Sequence, residues 1–204
     1  MKFFHILPSN NFVFFFLIIL VGLFFSINQI NIEDFWYDEM ATFWVSDPKI
    51  SFKETNLRLL NSEHTPILYD LIVKYFLVKA KICLSISLLR IINIPIFLIS
   101  LIYFNLIIKK ISENRIFFLL SSLLYVTNTF IISYTHEGRA FLLFCLFSLM
   151  FINEYMSVNQ SIEKHTNKNF KYLLLFILSF LLLNTFIFSL LILGSIVFFE
   201  IFFN

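Results

Sequence analysis

The sequence contains few of the residues that usually punctuate a soluble protein. Its 204 residues include only 3 glycines and 4 prolines, so the ends of helices must be found from charges and polar clusters. Charged residues make up only 14% of the chain, and hydrophobic residues make up 59%. Soluble domains carry about 25% charged residues, so this balance excludes an ordinary soluble protein and predicts an integral membrane protein.

The sequence is also poor in cysteine and in net charge. Its two cysteines, Cys83 and Cys145, have no CxxC or Cys/His spacing around them, which excludes a disulfide framework and a zinc site. The formal net charge is only +2, and no basic run is interleaved with aromatic residues. Nucleic acid is therefore not an expected partner.

Long apolar intervals are what the sequence has in their place. A helix needs about 20 apolar residues to cross a bilayer, and the intervals of this kind predict an all-α, polytopic bundle of about six transmembrane helices. We expect a single membrane domain, 1–204, whose first interval is too long for a signal peptide and stays as an anchor. The last interval suits one tilted helix or two, and the polar pair Asn184–Thr185 favours a helical hairpin. The intervals are 6–32, 91–108, 116–135, 140–156 and 172–203.

Basic residues set the expected orientation of these spans. The N-terminal lysine, the loop 109–115 and the lysines of the 164–171 loop fall on one side, which the positive-inside rule assigns to the cytoplasm. The opposite side receives a large outer segment, residues 33–90, and two short turns. We therefore expect an integral, multi-pass protein of the plasma or inner membrane, with its unusual polar residues outside the cytoplasm.

Interfacial amphipathic helices are expected within this outer segment. One opens at the capping box Ser51–Glu54, and the other opens at Thr65–Pro66. The second carries a charged stripe on an otherwise apolar surface, which is typical of a helix lying in the membrane interface. A seventh span over 66–82 is less favoured, because its charges would cost several kcal/mol at bilayer depth. The stripe consists of Asp70, Lys74 and Lys81.

Two charged clusters converge on the outer side. The stretch "DFWYDEMATFW", residues 34–44, places three acids beside five aromatic side chains directly after the first span. On position alone, an aromatic belt with solvated acids would explain it equally well. The stretch "SYTHEGRAF", residues 133–141, adds a second charged cluster on the same side, where a simple polar turn is the alternative. Because the two clusters share one face, we interpret Asp38 and Glu39 as candidate catalytic residues.

Four more outer residues are candidates for binding substrate or phosphate. The stretch "NSEHTPILY" supplies a histidine before the second interfacial helix, although such a histidine is usually a plain surface residue. An arginine at the outer end of the second span could snorkel, or could hold an anionic headgroup through paired donors. Carboxylates here could take a proton from a hydroxyl, and arginines could stabilise a leaving phosphate. The four candidates are His64, Arg90, Glu137 and Arg139.

Four motifs follow one another along the chain: "WYDEMATFW", "HTPILY", "LLRIINIP" and "YTHEGRAF". In this order they resemble the motifs of the GT-C membrane glycosyltransferases, and most of all the protein mannosyltransferase and aminoarabinose transferase branch. The usual forms in that family are an Asp-Glu pair, His-Pro-Pro-Leu-Tyr, Leu-Arg-x-Pro and Ser-Gln-Glu-Ala-Arg. The sequence departs from these forms at Thr65, His136 and Gly138, and after Arg90.

The resemblance implies transfer of a hexose or pentose from a polyprenyl-phosphate donor to a lipid, glycan or protein acceptor outside the cytoplasm, with inversion at the sugar carbon. Asp38 then matches the catalytic base and Glu39 its partner. Glu137 and Arg139 match the acid and the base of the family's Ser-Gln-Glu-Ala-Arg motif. His64 matches the histidine of its His-Pro-Pro-Leu-Tyr motif. Such enzymes typically continue through further spans and often an outer domain, so we expect this chain to be a fragment, a truncated product or a shortened relative.

Function and cofactor both keep an alternative at this stage. The chain could be a non-catalytic membrane subunit or truncated relative that binds a lipid carrier, or a transporter fragment. Transporters place polar groups near the bilayer midplane, however, whereas these acids cluster at one interface. No cofactor is certain: an Asp-Glu pair offers hard oxygen ligands to a divalent cation, but too few ligands are visible to define a metal site. Membrane lipids are expected partners in either case.

Overall fold

The structure, a computed structural model, describes residues 9–28, 37–61, 67–80, 85–163, 169–186 and 189–203. Within these ranges the regular secondary structure is entirely α-helical, which confirms the expected all-α class. The helices are α1 (Ser9–Asn28), α2 (Tyr37–Val45), α3 (Phe52–Asn61), α4 (Ile67–Ala80), α5 (Ile86–Ile91), α6 (Asn93–Ile111), α7 (Arg115–Val126), α8 (Thr129–His136), α9 (Phe141–Glu163), α10 (Asn169–Leu183) and α11 (Ser189–Phe203).

Two stretches of helix are long and apolar enough to cross a membrane. They are Ser87–Ile111, which joins α5 to α6, and Phe141–Asn159 within α9. Helices α7 and α8 meet the same criteria together, as one span bent by 44°. Within the described residues, the chain therefore has two to three helices suited to crossing a membrane, and these support membrane association. Shorter apolar helices lie at Val13–Asn28, Phe170–Leu183 and Ser189–Phe198.

The bend between α7 and α8 has a local cause. Asn128 caps the start of α8, because its side-chain oxygen accepts hydrogen bonds from the amides of Phe130 at 3.0 Å and Ile131 at 3.2 Å. A side chain used in this way competes with the helical backbone and starts a new helix. The interval 116–135, treated above as one span, is thus two helices set at an angle.

The hydrophobic core forms around α6, which packs most extensively against α9 and also contacts α1, α5, α7 and α8. Gly22 lets α1 approach closely, since a Cβ there would lie 2.9 Å from Cζ of Phe97. Polar side chains join α6 to α7 inside the apolar core: the hydroxyl of Tyr125 donates to Oγ of Ser100 at 2.8 Å. Such bonds between helices add specificity where hydrophobic packing alone gives little. The core residues are Ile18, Tyr69, Val73, Leu77, Leu89, Ile96, Phe97, Leu101, Val126, Leu142, Leu143 and Leu146.

Two charged residues of the expected interfacial stripe on α4, Asp70 and Lys74, lie on the inside of the protein. Asp70 and Lys74 are buried, whereas Tyr75 and Phe76 are 57% and 49% exposed. The ammonium of Lys74 donates to the backbone oxygens of Asp47 at 2.7 Å and Ile50 at 2.9 Å, and burial lowers the pKa of this side chain. Lys74 therefore binds the preceding loop, while Tyr75, Phe76 and Lys79 face outward. Lys81 lies outside the described residues.

The outer segment also docks on the last pair of helices. The Leu68 amide, near the start of α4, donates to the backbone oxygen of Asn184 at 3.3 Å. Asn184 and Thr185 form the turn that follows α10, and α11 begins at Ser189.

Helix α3 begins at the expected capping residue, because Oγ of Ser51 accepts from the Glu54 amide at 3.1 Å.

Lys110 connects the ends of α6, α9 and α10 that lie away from the outer segment. Its ammonium donates to the backbone oxygen of Asn153 and to Oγ of Ser157, both at 2.6 Å. Lys171 donates to the backbone oxygen of the same Ser157 at 3.0 Å. Three helices are therefore held by lysine ammonium groups at one serine.

Replacing Lys110 with methionine should lower the free energy of unfolding by about 1.5–3 kcal/mol, because two hydrogen bonds from a charged donor are lost. The measurement is unfolding in detergent micelles followed by circular dichroism. The neighbouring Lys109, which is exposed, provides the matched control, and Lys109→Met should change stability much less. Equal losses in the two variants would contradict the role given to Lys110.

Candidate functional site

Helix α2 carries Glu39 into the protein interior. Glu39, Thr42 and Val45 are buried at intervals of three residues, and Met40 and Trp44 are exposed. This spacing gives a short helix one inner and one outer face. Glu39 is the acidic member of the inner face, and its exposed fraction is 0%. A buried carboxylate is costly unless it is paired, so its partners define the site.

Glu39 is paired with Arg90 in a two-point ion pair. Nε of Arg90 donates to Oε1 of Glu39 at 3.0 Å, and Nη2 donates to Oε2 at 2.8 Å. The backbone amide of Gly138 donates to the same Oε1 at 2.6 Å. The Arg90 side chain is 1% exposed. The carboxylate thus receives three hydrogen bonds from groups 51 and 99 residues away along the chain, which is the arrangement a buried charge requires.

Helix α5 and the glycine loop give this pair its geometry. Ser85 caps α5, because its Oγ accepts from the Leu88 amide at 3.2 Å. The following Leu89 is buried directly against Gly138, where a Cβ would lie 2.4 Å from Cδ2 of Leu89. Only glycine leaves the room that its amide needs to reach Glu39. The presence of glycine rather than alanine at position 138 therefore has a steric explanation.

A second polar connection runs beside the ion pair through Asn93. Its Nδ2 donates to the backbone oxygens of Tyr134, at 3.2 Å, and Glu137, and its Oδ1 accepts from the hydroxyl of Tyr69 at 3.1 Å. Burial raises the pKa of Tyr69, and the nearby charges of Asp70 and Glu39 raise it further, so Tyr69 stays a neutral donor. Asn93 therefore joins α4 to the loop between α8 and α9.

Sequence reasoning did not select Tyr69 or Asn93. Both lie inside quoted motifs, at the end of "HTPILY" and within "LLRIINIP". The available signal was a single polar side chain at the start of an apolar span, where an unpaired amide would be costly. That signal indicates that Asn93 has a partner, but it does not indicate which one.

Glu137 and Arg139 form a more open pair on the same loop. Their closest side-chain atoms are 3.7 Å apart, and the side chains are 17% and 29% exposed. The guanidinium carbon of Arg139 lies 4.5 Å from the centre of the Phe141 ring. Phe141 in turn stacks on Tyr134 at 4.9 Å and meets the edge of Phe186 at 4.9 Å. The loop thus presents a partly exposed cation over an aromatic wall.

His136 turns away from this opening and into the protein. It is 2% exposed, and its Nε2 lies 3.0 Å from the backbone oxygen of Phe25 and 3.1 Å from that of Ser26. Sequence analysis noted His136 within the charged cluster of residues 133–141. In the structure it contacts the C-terminal part of α1, while Glu137 and Arg139 form the partly exposed part of the loop.

The two remaining candidates are less fully described. Asp38 lies on the backbone of α2 directly before Glu39, but its side chain is outside the described residues, and His64 is outside them altogether. Arg90, a candidate phosphate ligand, uses Nε and Nη2 in its pair with Glu39, and its side chain is 1% exposed, so a phosphate at the surface would not reach it directly. In the part of the chain that the structure describes, no three His, Cys, Asp or Glu side chains are grouped to hold a metal ion.

Comparison with known proteins adds no relative to this description. The chain matches no family model, no curated protein and no solved structure. The function is therefore argued from the motifs and from the geometry of the site.

Proposed function

We propose that the protein transfers a sugar from a polyprenyl-phosphate donor to an acceptor on the outer side of the membrane, as a GT-C-type glycosyltransferase. The observation that supports this most is the contact among Glu39, Arg90 and Gly138. Each belongs to a different one of the four motifs that resemble the family. Motifs that resembled the family only by chance would have no reason to meet in one buried hydrogen-bonded cluster.

In this proposal Asp38 is the catalytic base. It takes the proton of the acceptor hydroxyl as that oxygen attacks the sugar C1, and the bond from C1 to the phosphate oxygen breaks. The bonding electrons leave with the polyprenyl phosphate, so negative charge grows on the phosphate. A guanidinium placed there stabilises the transition state more than the ground state. Attack opposite the leaving phosphate accounts for inversion.

The geometry divides the charged residues into two groups. Glu39 and Arg90 satisfy each other in a buried pair, so we assign them to positioning α2 and its Asp38 rather than to direct chemistry. Arg139 has a partly exposed guanidinium and is the better candidate for the phosphate. Glu137 lies beside Arg139, and the Phe141 ring beneath the guanidinium helps to hold it in place.

We further propose that the shorter apolar helices complete a bundle of about six spans. Helix α1 has 20 residues, about the length needed to cross, and α10 and α11 have 15 residues each and flank the Asn184–Thr185 turn. The basic loops then face the cytoplasm, and α2 to α4 face outward. This topology places the proposed site at the outer face of a plasma or inner membrane.

The proposed base is tested with Asp38→Asn in purified protein reconstituted into lipid nanodiscs. Wild-type protein should release polyprenyl phosphate from a panel of labelled polyprenyl-phosphate hexoses and pentoses, and Asp38→Asn should reduce turnover at least about 100-fold. Asp34→Asn is the matched control, because it removes an equal charge four residues earlier and should leave turnover nearly unchanged. Full turnover by Asp38→Asn would exclude Asp38 as the base.

A second candidate function is binding of a lipid carrier without catalysis. It is favoured by the same buried pair, because Glu39 and Arg90 are sealed against each other and form a stable scaffold without substrate. This alternative predicts that the protein retains polyprenyl phosphate in native mass spectra, that Asp38→Asn retains it equally well, and that no labelled sugar is transferred by either protein.

A further inference from the structure

His136 acts as a hydrogen-bond donor toward the first helix. Nε2 lies within hydrogen-bonding distance of two backbone oxygens, those of Phe25 and Ser26. Carbonyl oxygens only accept, so Nε2 must carry a proton, and the imidazole donates to both. The ring is almost fully buried, so water is a poor substitute for this donor.

The two carbonyls belong to the end of a helix. Phe25 and Ser26 lie in the last described turn of α1, Ser9–Asn28. His136 donates to both carbonyls from a position 110 and 111 residues away along the chain. It fixes the C-terminal part of α1 to the end of α8.

The same short loop also holds α2. Two residues after His136, the amide of Gly138 donates to Glu39, and Arg90 bonds to the same carboxylate. The loop 136–139 therefore forms hydrogen bonds with both α1 and α2. Helix α1 precedes Asp38 in the sequence, and α2 contains it. A shift of this loop changes both attachments together.

We propose that His136 is a positioning residue that sets α2, and with it Asp38, relative to the first span. The functional part rests on the proposed sugar transfer, since it gives Asp38 the role of base. The structural part stands independently of any substrate. Without the imidazole donor, the end of α1 separates from the loop, and the Gly138 amide loses its fixed approach to Glu39.

The test compares His136→Phe, which keeps a buried ring but removes the donor, with His136→Gln, which retains an N–H donor. Hydrogen–deuterium exchange in nanodiscs should become about tenfold faster at the end of α1 and in α2 for His136→Phe, with α6 and α9 unchanged. His136→Gln should restore most of the protection. Thr135→Val is the matched control, because Thr135 is equally buried but its hydroxyl bonds only within α8, to the backbone oxygen of Ile132 at 2.6 Å.

Kinetics test the functional part. For His136→Phe, kcat for sugar transfer should fall about 10- to 100-fold while KM for the polyprenyl-phosphate sugar stays within about twofold, because a displaced base affects chemistry more than binding. A rise in KM alone, or unchanged exchange in α2, would overturn the positioning role. If His136→Phe loosens α2 but Asp38→Asn stays fully active, the positioning of α2 stands and the assignment of Asp38 as base fails. If His136→Phe loosens α2 but even the wild-type protein transfers no sugar, the positioning of α2 stands and the proposed function fails.

Discussion

Arg90→Met should destabilise the protein by about 3–5 kcal/mol, which is the cost of removing one partner from a buried ion pair. The variant removes the Nε and Nη2 donors from the buried Glu39 carboxylate and leaves the Gly138 amide in place. Methionine fills much of the volume of arginine, so little of the loss comes from a cavity. Unfolding in lipid nanodiscs, followed by circular dichroism, measures the change.

A double variant separates the loss of charge pairing from the loss of packing. Adding Glu39→Gln to Arg90→Met removes the unpaired charge and keeps an oxygen that can accept from the Gly138 amide. The double variant should therefore be more stable than Arg90→Met alone, by about 1–3 kcal/mol. If the double variant is the less stable of the two, the ion pair does not account for the effect. Neither variant should support sugar transfer, because both release α2.

Gly138→Ala should lower stability by about 1–3 kcal/mol or more, because the site has no room for a methyl group. The new Cβ would lie 2.4 Å from Cδ2 and 2.5 Å from Cγ of Leu89, and 3.4 Å from Oε1 of Glu39. Leu89 is fully buried and cannot move aside freely, so the loop must shift instead. The shift lengthens the hydrogen bond from the residue 138 amide to Glu39 and should also reduce transfer activity.

Two variants control this prediction. Gly194→Ala adds the same methyl group to α11, where no atom lies within 4 Å, and should be neutral or raise stability by about 0.5–1 kcal/mol. Leu89→Ala removes the side chain that the new methyl would meet. Adding Gly138→Ala to Leu89→Ala should therefore cost less than adding it to the wild-type protein. Equal costs in both backgrounds would show that the clash with Leu89 is not the cause.

The sequence predicts the class of the fold better than the pairing of its residues. The scarcity of charge and the apolar intervals are local properties, and they correctly indicate helices. The pair of Glu39 and Arg90 depends on how α2 and α5 pack, across 51 residues of chain. Local sequence patterns do not show which residues come into contact across such a separation. From its position at a span end, Arg90 was expected to snorkel or to hold an anionic headgroup, and neither expectation included a buried carboxylate partner.

Helix α4 shows a second limit of sequence reasoning. A charged stripe on an apolar helix predicts that the charges face water when only the helix is considered. In the folded protein, the ammonium of Lys74 donates to the backbone oxygens of Asp47 and Ile50, which replace water as its partners. The residue spacing correctly predicted a helix, but it did not show whether each face of the helix contacts protein, water or lipid.

The bend before Asn128 could have been found. The sequence "TNT" at 127–129 lies within an apolar interval and places a preferred capping residue between two threonines. Treating the interval only by its hydropathy concealed this signal. A polar capping residue inside a predicted span is thus a reason to expect two helices rather than one.

The outward apolar side of α4 affects how the protein must be solubilised. Tyr75 and Phe76 extend the apolar surface beyond the long helices and onto the outer segment, so a detergent belt covering only α6 and α9 leaves these rings in water. Small micelles then favour detachment of α4 from the bundle, and with it the Tyr69 contact to Asn93. A lipid nanodisc covers this surface with continuous acyl chains and is the suitable medium for purification.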